Sequence, residues 1–198
     1  MAKALTTLRR HAQASFLTQA GGSPELLPVG ADMLIFADTQ DKFDHWKAKL
    51  FDQNESMSVE AATMLVEVAN KSKELRQECI SLIAARLEQL NKGDGDLFSM
   101  LKAVSDLSRG LISSNEALML AIMKTPIKDS YALNMATGIL LYEMDQGFIK
   151  PDHALKKQIL DMATQVVNGC RGDARRNAMR ILELAKSGPT RHPDFSEP

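Results

Sequence analysis

Residues 129–147, DSYALNMATGILLYEMDQG, decide how the rest of the chain must be arranged. At about 100° per residue, Tyr131, Ala132, Leu133, Met135, Ala136, Ile139, Leu140, Leu141 and Met144 cover most of a helical wheel. The polar arc holds only Asn134, Thr137, Gly138 and Asp145; Tyr142 and Gln146 stand near the start of the apolar arc and Glu143 lies within it. A helix apolar over so much of its circumference needs neighbours on several sides. It is therefore expected to be the central helix of an all-α domain.

The flanking sequence supplies those neighbours. Toward the N-terminus, Phe43, Trp46 and Leu50 stand at i, i+3 and i+7 in a helix expected from about Thr39 to Gln53. Ser58 is placed to cap a helix reaching about Asn70, and a further helix from about Lys73 to Leu90 carries Leu75, Cys79, Leu82, Ile83, Leu87 and Leu90 on one stripe. The loop from Asn91 to Asp96 breaks the pattern, and Asp96 caps a helix drawn to about Arg109. Ser113 and Glu116 have the spacing of a capping box, opening a helix that Pro126 obliges to finish by about Lys124. After the central helix, Pro151 suits the first turn of a helix bearing Leu155, Ile159, Met162, Val166 and Val167, and Asp173 is placed to cap the last one, which stops at Ser187-Gly188-Pro189.

Domain organisation follows from this punctuation. Residues 1–22 make a basic amphipathic leader with Leu5, Leu8, Ala12 and Phe16 on one narrow face, and residues 23–38 an ordered linker. Residues 39–187 form a single all-helical domain, and residues 188–198, rich in proline, a mobile tail. Helix pairs begin near Ser58, Asp96, Asp129 and Asp173, at intervals of 38, 33 and 44 residues, which bracket helical-repeat lengths. The segment DARRNAMRILELAKSG, residues 173–188, resembles the second helix of an armadillo or HEAT-type repeat in its small residues followed by an aliphatic pair. That resemblance implies irregular antiparallel helix pairs stacked as an α-solenoid. A compact multi-helix bundle uses the same periodicity and stands beside it.

Composition narrows the function by exclusion. With 44% hydrophobic and 25% charged residues the chain is globular, and its net charge of −1 divides into +3 over residues 1–24, −6 over 25–70 and +2 over the remainder. No block is basic enough to declare a nucleic-acid partner, and no apolar run is long enough for a membrane span. Cys79 and Cys170 lie far apart and read as reduced thiols, which points to the cytoplasm. A leader free of acids also fits import through residues 1–24, or secretion without a signal peptide.

Motifs for chemistry are missing. His11, His45, His153 and His192 have no His or Cys at metal-ligand spacing, and no phosphate-cradling glycine loop or nucleophile elbow is present. An EF-hand starting at Asp94 would need glycine at Ser99 and glutamate at Ser105. Glu74 and Glu78 stand one turn apart beside Lys71, Lys73 and Arg76, as on a solvated helix start. No metal, cofactor or catalytic group is therefore expected.

Two features remain. Arg171, Arg175, Arg176 and Arg180 gather on the last helix, where they could meet a partner, the acidic 25–70 segment or solvent. Eleven methionines against ten aromatic residues could form an adaptable groove or simply fill the core. The expected function is a non-enzymatic protein-interaction module, an adaptor or assembly factor, that binds a partner protein through a helical groove or face. Nucleic-acid binding through the arginine face, and a secreted or imported effector, are the alternatives.

Overall fold

The computed structural model describes residues 39–93, 95–150 and 152–188. The leader, the linker, Asp94, Pro151 and the tail beyond Gly188 lie outside the described residues. Within them are eight helices: α1 Thr39–Lys49, α2 Glu55–Lys71, α3 Lys73–Leu90, α4 Leu97–Val104, α5 Glu116–Met123, α6 Ser130–Asp145, α7 Lys156–Gly169 and α8 Gly172–Ser187. The fold is all-α, and no described helix is long and apolar enough to cross a membrane.

Helices two apart in the chain pack side by side. The even-numbered helices form one layer, α2 on α4, α4 on α6 and α6 on α8, while α1, α3, α5 and α7 succeed one another in a second. The hairpins α2–α3 and α7–α8 tie the layers together. One continuous core runs between them from Phe43 to Leu184. Each fully buried leucine or isoleucine in it contributes about 1.5–3 kcal/mol relative to exposure. The Phe43, Trp46 and Leu50 stripe is buried as expected, and so are Cys79, Ile83, Leu87 and Leu90 of α3.

Helix ends depart from expectation at six places, two of them shifts of about a turn: α1 ends at Lys49, not near Gln53, and α7 begins at Lys156, five residues past Pro151. Asn54, not Ser58, caps α2: its Oδ1 accepts the Met57 N–H at 3.3 Å, and its own N–H is fixed by Asp52 at 2.8 Å. Ser58 is buried a turn further on, donating to the Leu50 carbonyl at 2.6 Å and accepting from Arg86 Nε at 3.1 Å. Helix α4 stops at Val104, not Arg109, because residues 105–115 run on as tight turns past Gly110, whose φ of +77° only glycine adopts readily. Asn115, not Ser113, then caps α5 by accepting from Leu118 N at 2.9 Å. At α8 the cap position is Arg171, which makes no side-chain capping bond, and Asp173 falls in the first helical turn.

One junction is a single residue. Ser72 ends α2 by donating its N–H to the Val68 carbonyl at 2.8 Å, and it starts α3 by accepting from Leu75 N at 3.3 Å. With no spare residues between them, α2 and α3 form a stiff hairpin.

Candidate functional site

Helix α6 is capped by Asp129, whose Oδ1 accepts the Ala132 N–H at 3.0 Å, and it packs between α4 and α8. Ala132, Leu133, Ala136, Ile139, Leu140 and Met144 are buried as its apolar pattern requires. Within the polar arc Thr137 is buried, and Asn134, Gly138 and Asp145 are half-buried. Asn177 of α8 donates to Asn134 Oδ1 at 3.1 Å and to Thr137 Oγ1 at 3.3 Å, so α8 docks on the side of α6 that periodicity assigns to solvent. In consequence, apolar residues face outward. Tyr131 is 76% exposed and Tyr142 44%, with Met135 and Gly138 half-buried between them at helical spacing. Tyr131 is thus not a core residue. Its ring meets Phe98 of α4 edge-on, with centroids 6.3 Å apart.

Beside this stripe lies a cleft of about 240 Å³. Met135, Gly138 and Ile139 make its floor, and Leu107 and Ile112 of the 105–115 segment its wall. Ser105, Tyr142 and Glu143 contribute the polar atoms. The floor is deep at Gly138, where a Cβ would meet only Asn177 Nδ2, at 3.7 Å.

Glu143 is only 2% exposed. Its Oε2 accepts the Ser113 N–H at 3.2 Å, while its backbone carbonyl accepts from Phe148 N at 3.0 Å. Burial raises its carboxyl above the ordinary glutamate range, against the opposing pull of bonds from Ser113 and from the Gly110 N–H. Gly110 itself is pressed against Phe148, whose ring would stand 3.2 Å from an added Cβ. The next peptide, after Ser113, is held by His153: its Nε2 lies 3.0 Å from the Ser113 carbonyl, and its Nδ1 accepts from Leu155 N at 3.1 Å. The neutral Nε2–H tautomer satisfies both bonds. Thus Glu143 and His153 hold the two peptide units that flank Ser113 and set the position of the cleft wall. Periodicity places Glu143 in the apolar arc of this helix and gives it no role; its partner Ser113, thirty residues earlier, leaves no local pattern.

The sequence-predicted arginines are exposed at the far end of the even layer. Arg171, Arg175 and Arg176 come together around a cleft of about 510 Å³ at the α7–α8 joint, with Asn168 and Cys170; Arg180 does not line it. Arg175 Nε donates to the Val167 carbonyl at 3.1 Å, Arg176 pairs with Asp173, and Arg180 pairs with Glu183 at 3.1 Å. Their acidic partners are therefore in their own helix. Among the described acids of 25–70, Glu67 takes lysines instead: bonds from Lys42 and then Lys71 hold its carboxyl below the ordinary range.

The remaining chemistry-bearing residues are dispersed. Glu78 pairs with Lys47 and Glu74 accepts from the Ser72 hydroxyl at 3.0 Å. Both cysteines are free; burial pushes the Cys79 thiol up to about 12, a value that suits an inert core thiol. Among the described residues no three of His, Cys, Asp and Glu converge as a metal site. Met100, Met119 and Met144 are buried, and Met57, Met64, Met123 and Met162 pack against the core, so in the main methionine fills space that aromatic residues would occupy elsewhere. Met135 is the methionine that reaches the cleft.

No family of known proteins, no curated protein and no solved structure matches this chain. The functional reading therefore rests on the groove and the arginine end alone.

Proposed function

We propose that this chain is a non-enzymatic protein-interaction module, an adaptor or assembly factor, that receives an apolar segment of a partner protein on the outer face of α6. The observation that carries this reading is the stripe of exposed Tyr131 and Tyr142 with half-buried Met135 between them, running beside an apolar-floored cleft. Tyrosine and methionine are enriched at protein interfaces, because each offers a large contact area with little ordering cost or with adaptable packing. A pocket beside an exposed aromatic is the usual setting of an interface hot spot. Two free cysteines favour a reducing compartment such as the cytoplasm as the place of work.

Binding through Arg171, Arg175, Arg176 and Arg180 to an acidic protein or a nucleic acid is the second reading, favoured by the three that gather at one cleft. Weighing against it, Asp173 and Glu183 already neutralise Arg176 and Arg180 locally.

Site-specific photo-crosslinking in the native cell separates the two. A photoreactive phenylalanine at Tyr131 or Tyr142 is expected to capture a discrete protein, and one at Arg176 is not. Crosslinks only from Arg176, or crosslinks that vanish on nuclease treatment, would transfer the function to the arginine end.

A further inference from the structure

Glu143 lines the α6 cleft, is almost wholly buried, and pairs with no cation among the described residues. Its carboxyl accepts from the Ser113 N–H at 3.2 Å and from the Gly110 N–H, neutral donors that bring no counter-charge into an apolar surround. What the carboxyl group adds is the capacity to be an anion facing a cleft with room for one long side chain. A buried charge left without a counter-ion is costly, so a cation entering beside it exchanges its water for a carboxylate that has already lost its own.

We propose that the cleft is an anchor pocket for the cationic side chain of a partner segment, a lysine or an arginine, with Glu143 as its counter-ion. The aliphatic stem lies along Met135, Ile139 and Leu107, and the charged head reaches Glu143 past the Tyr142 ring at the rim. This assignment rests on the proposal that the α6 groove is the interaction site, and it adds the chemistry that the partner must carry there.

The test uses the full chain, with methionine methyl groups labelled with carbon-13, and three probes of matched stem: n-butylguanidinium, n-butylammonium and n-butanol. The two cations are expected to shift the Met135 methyl resonance saturably, and the alcohol to bind at least about tenfold more weakly. The Glu143→Gln variant keeps the acceptor for Ser113 and is expected to lose that preference for cations, with the methyl groups of Met100 and Met119 unmoved. If Glu143→Gln fails to fold, the comparison of cations with alcohol on the native chain decides alone. Equal binding of all three probes at Met135 would leave the groove standing and overturn the cationic anchor. No shift at Met135 with any probe would overturn the pocket itself. Cation binding unchanged in a folded Glu143→Gln would overturn the role of Glu143.

Discussion

Gly138→Ala should make the fold more stable and the groove worse. Gly138 sits mid-helix in α6, has no positive φ, and offers an added Cβ only an ordinary contact, Asn177 Nδ2 at 3.7 Å. Nothing therefore opposes the gain from replacing glycine in a helix interior, about 0.8–1 kcal/mol. For a chain of this size each kcal/mol moves the midpoint of thermal unfolding by about 2–4 °C, and the urea midpoint should rise with its slope unchanged. Both are read from helical circular dichroism. At the same time the new methyl stands on the floor between Met135 and Ile139, where it takes up space that a partner side chain needs. The cations that shift the Met135 methyl, and any protein captured through Tyr131, should bind the variant more weakly. A loss of stability above about 0.5 kcal/mol would refute the packing on which this rests, since only a contact closer than the one to Asn177 would outweigh the helix propensity.

Three further substitutions probe the frame around the groove. Leu140→Ala removes a fully buried side chain of α6 and should cost about 2–5 kcal/mol by urea titration; a cost under about 0.5 kcal/mol would show that α6 is peripheral. Ser58→Ala strands the buried Arg86 Nε and the Leu50 carbonyl, and should lower stability by about 1–3 kcal/mol, more than an N-cap loss on an exposed helix end. Glu143 gives a pH signature. Its carboxyl keeps a proton in the folded chain at pH values where the unfolded chain, titrating near 4.3, has lost it. The resulting stability is fully present below the unfolded value and disappears as pH rises through the folded one, so Glu143→Gln should gain on the native chain as pH is raised from about 4 to 8. A difference in urea midpoint that is flat across that range would contradict the burial of the charge.

Periodicity in this sequence carries the helices well and their ends poorly. Helix α3 is legible because its stripe runs unbroken from Leu75 to Leu90 and the Asn91-Lys-Gly turn follows, and Phe43, Trp46 and Leu50 leave no other inward face for α1. Ser58, Ser113 and Asp173 mislead because a cap is chosen by backbone conformation as well as by side-chain type. Asn54 and Asn115 take the extended conformation that places Oδ1 over the first turn. The groove is less legible still. On α6 periodicity points to the wrong bare side; the choice is made by Asn177, about forty residues away, whose amide draws α8 onto Asn134 and Thr137 and leaves Tyr131 and Tyr142 outside.

The side-by-side succession of helices two apart also has a meaning in time. A chain leaving the ribosome presents α2 before α4, α4 before α6 and α6 before α8, so each helix of the even layer emerges when the surface it will cover has already been made. None of these steps waits for a distant C-terminal partner, and exposed apolar surface is passed forward one helix at a time instead of accumulating. Helix α8 is the last of the described helices to emerge, and it settles on a face of α6 that has waited only for it.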